Sequence, residues 1–145
     1  ALWARLQAAD TRYFVPMRHA LAPGTGDPAN FQLDNCATQR NLSAEGRAQA
    51  ERTGELFRQQ NIPVTQVLSS QWCRCLDTAT LMALGPVEPF PALNSFFRDR
   101  RAASAQTDAV AAFMRQHPNT SGVEMVVMQV AEDGQLAVLG SLEAL

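Results

Sequence analysis

The chain has 145 residues, 46% hydrophobic and 18% charged, the balance of a globular protein able to build one core. Twelve Arg against fourteen acidic residues leave a formal charge of −2, which provides no overall basic field for nucleic acid or an anionic membrane. No apolar run approaches the about 20 residues that span a bilayer, so a single domain over residues 1–145, binding neither nucleic acid nor membrane, is expected.

All twelve basic residues are Arg. The guanidinium fork suits phosphate or carboxylate, although the codon bias of a high-GC genome gives the same composition. Three cysteines, Cys36, Cys73 and Cys75, allow one disulfide with one thiol left over, or three buried free thiols. Cys73 and Cys75 are too close in sequence for an ordinary bridge and lack zinc-site spacing, so no metal is expected.

In chain order, Leu2, Trp3 and Leu6 share one side of a helical projection, which predicts a short amphipathic helix over 1–9. Tyr13 to Met17 reads as a strand, nearly apolar on both faces and suited to the middle of a covered sheet. Pro16 argues against full pairing there. The strand delivers Arg18 and His19 side by side into a long loop, Ala20 to Asn41. Within it Gly24-Thr25-Gly26 is either an anion cradle of backbone N–H groups or a plain surface turn. Ser43 is an N-cap for a helix from Ala44 to about Gln60, whose small face of Gly46, Ala50 and Thr53, with Phe57, would approach a sheet closely.

Val64 to Leu68 forms the next strand, Ser69 and Ser70 follow as caps, and a helix from Trp72 to Leu84 is closed by Gly85-Pro86. Its core face is expected to be Trp72, Leu76, Ala79 and Ala83, flanked by Cys75 and Met82. Arg74 falls off that stripe in the first turn, where free N–H groups and the positive end of the helix dipole make a ready anion site. The alternative for Arg74 is a solvated surface position. Pro86 to Pro91 is a Pro-rich connection. Phe96 to Arg101 places aromatic and basic residues in a loop, either to attract an anionic substrate or as a solvated charge run. Thr107 caps a helix to about Gln116, with His117 and Pro118 at its end. Glu124 to Val130 and Leu136 to Leu142, joined by Glu132-Asp133-Gly134, are expected to form a C-terminal β-hairpin.

Three motifs then fall in order: Arg18-His19 after a strand, Leu42-Ser43-Ala44-Glu45-Gly46-Arg47 opening a helix, and Ser69-Ser70 before Arg74 and Thr78-Ala79. In this the chain resembles the histidine phosphatase superfamily, also called phosphoglycerate mutase-like. The resemblance implies an α/β fold, a three-layer α/β/α sandwich with a mostly parallel central sheet, here with the C-terminal hairpin added. It implies a phosphatase acting on phosphomonoesters or phosphohistidine, on a phosphorylated small molecule or phosphoprotein, without cofactor or metal. His19 would be the nucleophile that becomes a phosphohistidine, and Arg18 and Arg74 would grip the phosphoryl oxygens. The other ring nitrogen of His19 would need an acceptor such as a backbone carbonyl. Ala20 to Gly24, Cys36 and Cys73-Arg74-Cys75 resemble an exported bacterial branch, in which a signal peptide would precede Ala1 and the protein would be periplasmic or secreted; outside that branch it would be cytoplasmic.

The family carries a second active-site His at the end of a later apolar strand, and this sequence has no match to it. His117 stands in a helix-end context, so a segment around 117–124 is expected to be deleted or omitted. A lost central strand would leave sheet edges exposed. The family acid would fall near Asn94-Ser95, where no carboxylate stands and Asp99 is a weak substitute. Losing a preorganised donor removes roughly 3–4 kcal/mol of transition-state stabilisation. Hence two alternatives accompany the phosphatase: a catalytically impaired pseudophosphatase that binds phosphate or another anion, and a structural α/β domain whose Arg-His pair is incidental.

Overall fold

The structure, a computed structural model, describes residues 2–8, 12–94, 108, 112 and 122–129. The apolar run after Asp10-Thr11 forms strand β1, Arg12–Arg18, joined by β2 (Val64–Ser69), β3 (Val87–Pro89) and β4 (Gly122–Met128). All described pairs are parallel, in the order β1-β4-β2-β3. Parallel neighbours need crossover connections, and these contain helix α2 (Ala44–Gln59) between β1 and β2 and helix α3 (Cys73–Met82) between β2 and β3. A short helix α1, Leu2–Ala8, precedes β1. The α/β class, a parallel sheet flanked by helices, is therefore the one expected from the sequence.

Alternation along β4 feeds two cores. Val123, Met125 and Val127 pack with Val67 of β2, Cys75, Ala79 and Met82 of α3, and Leu6 of α1. Val126 and Met128 face the other way, with Phe14, Leu68 and Leu93. Every residue of β4 is buried, as a strand covered on both faces in mid-sheet must be. Its one charge, Glu124, accepts a 2.9 Å hydrogen bond from Arg12 Nη2, and the Arg12 guanidinium lies 4.2 Å from the Phe14 ring centroid. Breaking such a buried pair from one side costs about 3–5 kcal/mol.

Several expectations are corrected. Glu124 to Val130 is not a hairpin arm: the segment 122–128 pairs in parallel with β1 on one edge and β2 on the other. No edge of it is left for an antiparallel partner at 136–142, and residues 130–145 lie outside the described residues. The strand Tyr13 to Met17, expected in mid-sheet, has one partner among the described residues, β4. Among the described residues Pro16, which lacks an N–H, meets only the β4 ladder. The Pro-rich connection contains β3, with Val87 paired to Val67. The expected helix over Thr107 to Gln116 is outside the described residues except Asp108 and Ala112.

The helices start where their caps predict but face differently. Ser43 caps α2, its side chain accepting from Gly46 N at 3.0 Å. The buried stripe of α2 is Gly46, Ala50 and Gly54. Its close approaches are to backbone of the loop and of α3: a Cβ on Gly46 would lie 2.0 Å from the Leu21 carbonyl oxygen, and one on Gly54 1.9 Å from that of Met82. Helix α3 buries Cys73, Arg74, Cys75, Thr78, Ala79 and Met82, leaving Leu76 half-buried and Ala83 exposed. Ala83 ends the helix in the left-handed region at φ 51°. The stripe is rotated from the expected one because the loop after β1 covers the first turn of α3. Cys36 and Cys73 form a disulfide across that contact, and Cys75 is the free thiol, its pKa pushed up to about 12 by burial.

Candidate active site

In open parallel sheets ligands bind beyond the carboxyl ends of the strands. At that end β1 delivers Arg18 and His19, β2 delivers Ser69 and Ser70, and β4 runs on into Gln129. The loop 20–43 and the first turn of α3 close over them. His19 is only 7% exposed. Its backbone N–H donates to the Met128 carbonyl at 3.2 Å, and the next residue, Ala20, donates its N–H to Thr78 Oγ1 at 2.9 Å.

The imidazole Nδ1 lies 2.7 Å from the carbonyl oxygen of Ala20. A carbonyl only accepts, so Nδ1 carries the proton and donates, and Nε2 keeps its lone pair. Burial is the main cause holding the His19 pKa down to about 4; the Ala20 bond opposes it, and the charges of Arg74, Arg18 and Arg40 add to the depression. At neutral pH His19 is therefore uncharged in a cationic setting, with Nε2 unprotonated.

The three cations differ in how far they are committed. Arg18 is exposed and has no hydrogen bond or ion pair among the described residues. Arg74 is only 5% exposed. Its Nη1 and Nη2 donate to the two carboxylate oxygens of Asp27 at 2.8 and 3.4 Å, and Nη1 also reaches the Arg40 carbonyl at 3.3 Å. The solvated alternative for Arg74 is thus excluded, and its buried Nε–H is left without a partner. Arg40 is tied to the loop, donating through Nε to the Gly26 carbonyl at 2.8 Å and through Nη1 to that of Ala22. Burial and the nearby charge of Arg74 lower its pKa, Asp27 works the other way, and Arg18 lowers it further.

Asp27 joins these pieces. Burial would raise its carboxyl, but hydrogen bonds from Arg74, the Arg40 N–H and Trp72 Nε1 hold it below the usual range. Neither Asp27 nor Arg40 is singled out by sequence reasoning. For Arg40 the available signal was its place two residues before Leu42-Ser43; for Asp27 there was none, since its partner lies 47 positions away.

Of the N–H groups expected at the start of α3, Cys73 N and Cys75 N have acceptors, the latter the Trp72 carbonyl at 3.0 Å, and the turn before the helix is bonded as well. Gln71 N donates to Asn94 Oδ1 at 2.7 Å, Trp72 N to Ser70 Oγ at 3.2 Å, and Cys73 N to Gln39 Oε1 at 2.9 Å. Asn94, at the place expected for an acid, thus ties a turn to α3, and Asp99 lies outside the described residues. Around 117–124 the family's later apolar strand is expected to be deleted or omitted; an apolar strand, β4, does run from Gly122 to Met128, and the residue that follows it is Gln129, not a His. His117 and the rest of 113–121 lie outside the described residues. A cavity of about 350 Å³ opens at the end of β1, lined by Met17, Arg18, His19, Leu21, Gln49 and Thr53 among others. Among the described residues no group of three His, Cys, Asp or Glu side chains is placed to hold a metal ion.

Solved structures share this arrangement of strands and helices. The putative phosphohistidine phosphatase SixA from Nakamurella multipartitia aligns over 82% of this chain with 23% identity and a TM-score of 0.58, and the chain spans 59% of its length. The protein of open reading frame Rv3214 from Mycobacterium tuberculosis aligns over 81% of this chain and 74% of its own, with 18% identity and a TM-score of 0.59. The phosphoserine phosphatase of Entamoeba histolytica, solved with 3-phosphoglyceric acid, gives 12% identity and a TM-score of 0.58 over 81% of this chain and 74% of its own. No curated protein matches the sequence. The family described as histidine phosphatase superfamily (branch 1) matches residues 17–123, a span that begins at Met17 before the Arg18-His19 pair and takes in Arg40, Arg74 and the entry into β4, so the chain belongs to the histidine phosphatase superfamily.

Proposed function

We propose that this protein is a phosphatase that hydrolyses phosphomonoesters or phosphohistidine through a covalent intermediate on His19. The observation that carries the reading is the state of that imidazole: buried, neutral, proton fixed on Nδ1 by Ala20, and surrounded by Arg18, Arg40 and Arg74. The Nε2 lone pair attacks phosphorus, the bond to the leaving oxygen or nitrogen breaks, and water then attacks the phosphohistidine to release inorganic phosphate. Arg18 is free to meet the phosphoryl oxygens. Arg74 contributes its charge and its unpartnered Nε–H. Phosphohistidine is supported as a substrate by the likeness to a protein named a phosphohistidine phosphatase.

Incubation with an aryl phosphate should release phosphate in the wild type and not in His19→Ala, and acid-labile phosphate should be trapped on the protein during turnover. Equal rates in the two proteins would refute the reading. A second reading, a pseudophosphatase that binds phosphate without turnover, is favoured by the Asp27 carboxylate that engages both terminal nitrogens of Arg74. Phosphate affinity without hydrolysis would select it. The Cys36–Cys73 disulfide supports a periplasmic or secreted location, since such bonds persist in oxidising compartments.

A further inference from the structure

Gln129 follows β4 at the carboxyl end of the sheet and is only 7% exposed. Neither its Oε1 nor its Nε2 has a hydrogen-bond partner. Buried amides are ordinarily satisfied, and an exception calls for a cause. The unpartnered Nε of Arg74 belongs to the same end of the sheet.

Register places Gln129 beside His19. Arg18 pairs with Met128 in the β1–β4 ladder, and His19 N donates to the Met128 carbonyl, so His19 and Gln129 are the next residues along two adjacent strands. Alternation puts them on one face. Val15 and Met17 of β1 pack on the α3 side, as do Met125 and Val127 of β4; two residues beyond Met17 and Val127 stand His19 and Gln129. The cavity reaches His19 from the α2 side, and the register sets Gln129 next to His19 on the β4 side.

We propose that Gln129 is a ligand-binding residue of the phosphoryl pocket, its Nε2–H₂ donating to a phosphoryl oxygen held against His19. This rests on the proposed phosphatase or phosphate-binding reading and adds to it a neutral, pH-independent donor. An amide here gains its missing partner only when the anion arrives. It adds no positive charge, so the pocket's cationic character is carried by the arginines.

Calorimetry with inorganic phosphate on the wild type, Gln129→Met and Gln129→Glu tests this, with thermal unfolding of each. Methionine keeps the length and removes both polar atoms; glutamate keeps an acceptor and loses the donor. Phosphate should bind about 10- to 100-fold more weakly to Gln129→Met and more weakly still to Gln129→Glu, while Gln129→Met unfolds no lower than the wild type because an unpaired amide has gone. Wild-type affinity in both variants overturns the proposal, as does a loss of affinity that is fully accounted for by unfolding. Failure of the phosphate-binding reading is a different result: the wild type itself then binds no phosphate, and Arg18→Ala changes nothing. If Arg18→Ala loses phosphate and Gln129→Met keeps it, only the role of Gln129 falls.

Discussion

The carbonyl of Ala20 decides the chemistry of His19, because it fixes which ring nitrogen holds the proton. The pH behaviour follows from the same contact and from burial. With its pKa lowered from 6.5 to about 4, His19 stays neutral through the range in which an ordinary histidine charges. The NMR signal that His19→Ala removes should titrate with a midpoint near 4; a midpoint near 6.5 would mean that the ring is solvated and would remove the basis for the proposed role of His19. The same shift bears on stability. Folded pKa lies below unfolded pKa, so as pH falls the unfolded chain binds the proton first. Stability is therefore full above about 6.5 and is lost progressively toward 4, by about 3 kcal/mol at most, at roughly 1.4 kcal/mol per pKa unit. The sequence made Arg18 and His19 visible because they are adjacent. Asp27 and Arg40 were not visible, since a carboxylate 47 positions from its Arg partner carries no local mark.

Helix α2 shows where local chemistry ends and packing begins. Its start was legible because Ser43 bonds a residue three positions away, and the small face was legible from spacing. What that face meets was not, because contact with Leu21 and Met82 depends on how the loop and α3 are placed. Likewise the acidic turn residues after Val130 suggested a hairpin, yet two-sided parallel pairing of β4 depends on strands far earlier in the chain. β3 has three residues and ends in proline, too little pattern to read. Gly54 gives this packing a test. By helix propensity alone Gly54→Ala would stabilise by about 1 kcal/mol. The new Cβ would lie 1.9 Å from the Met82 carbonyl oxygen, which is backbone and has little room to move. Urea unfolding should show a net loss of about 1–3 kcal/mol, the usual cost of overpacking. A stabilised Gly54→Ala would mean that α2 and α3 are not in this contact.

At the scale of the molecule, the site depends on holding the loop after β1 against the first turn of α3. Asp27 accepts from Arg74, Arg40 and Trp72, Gln39 accepts from Cys73 N, and Phe31 stacks on Trp72 with ring centroids 5.0 Å apart. The Cys36–Cys73 disulfide closes this group covalently across a sequence separation of 37. A loop of that length loses chain entropy equivalent to about 4 kcal/mol in the unfolded state when bridged. For a chain of this size that corresponds to roughly 10 °C in melting temperature. Reductant should therefore lower the melting temperature of the wild type by several degrees. It should leave the Cys36→Ser, Cys73→Ala double variant where it already is, near the reduced wild type. Cys36 is exposed, so reagent can reach the bond, whereas Cys75 is buried and its high pKa keeps it from exchanging in place of either partner. If the oxidised wild type and the double variant melt together, the noncovalent contacts around Asp27 suffice to hold the loop. The disulfide then adds nothing to its placement.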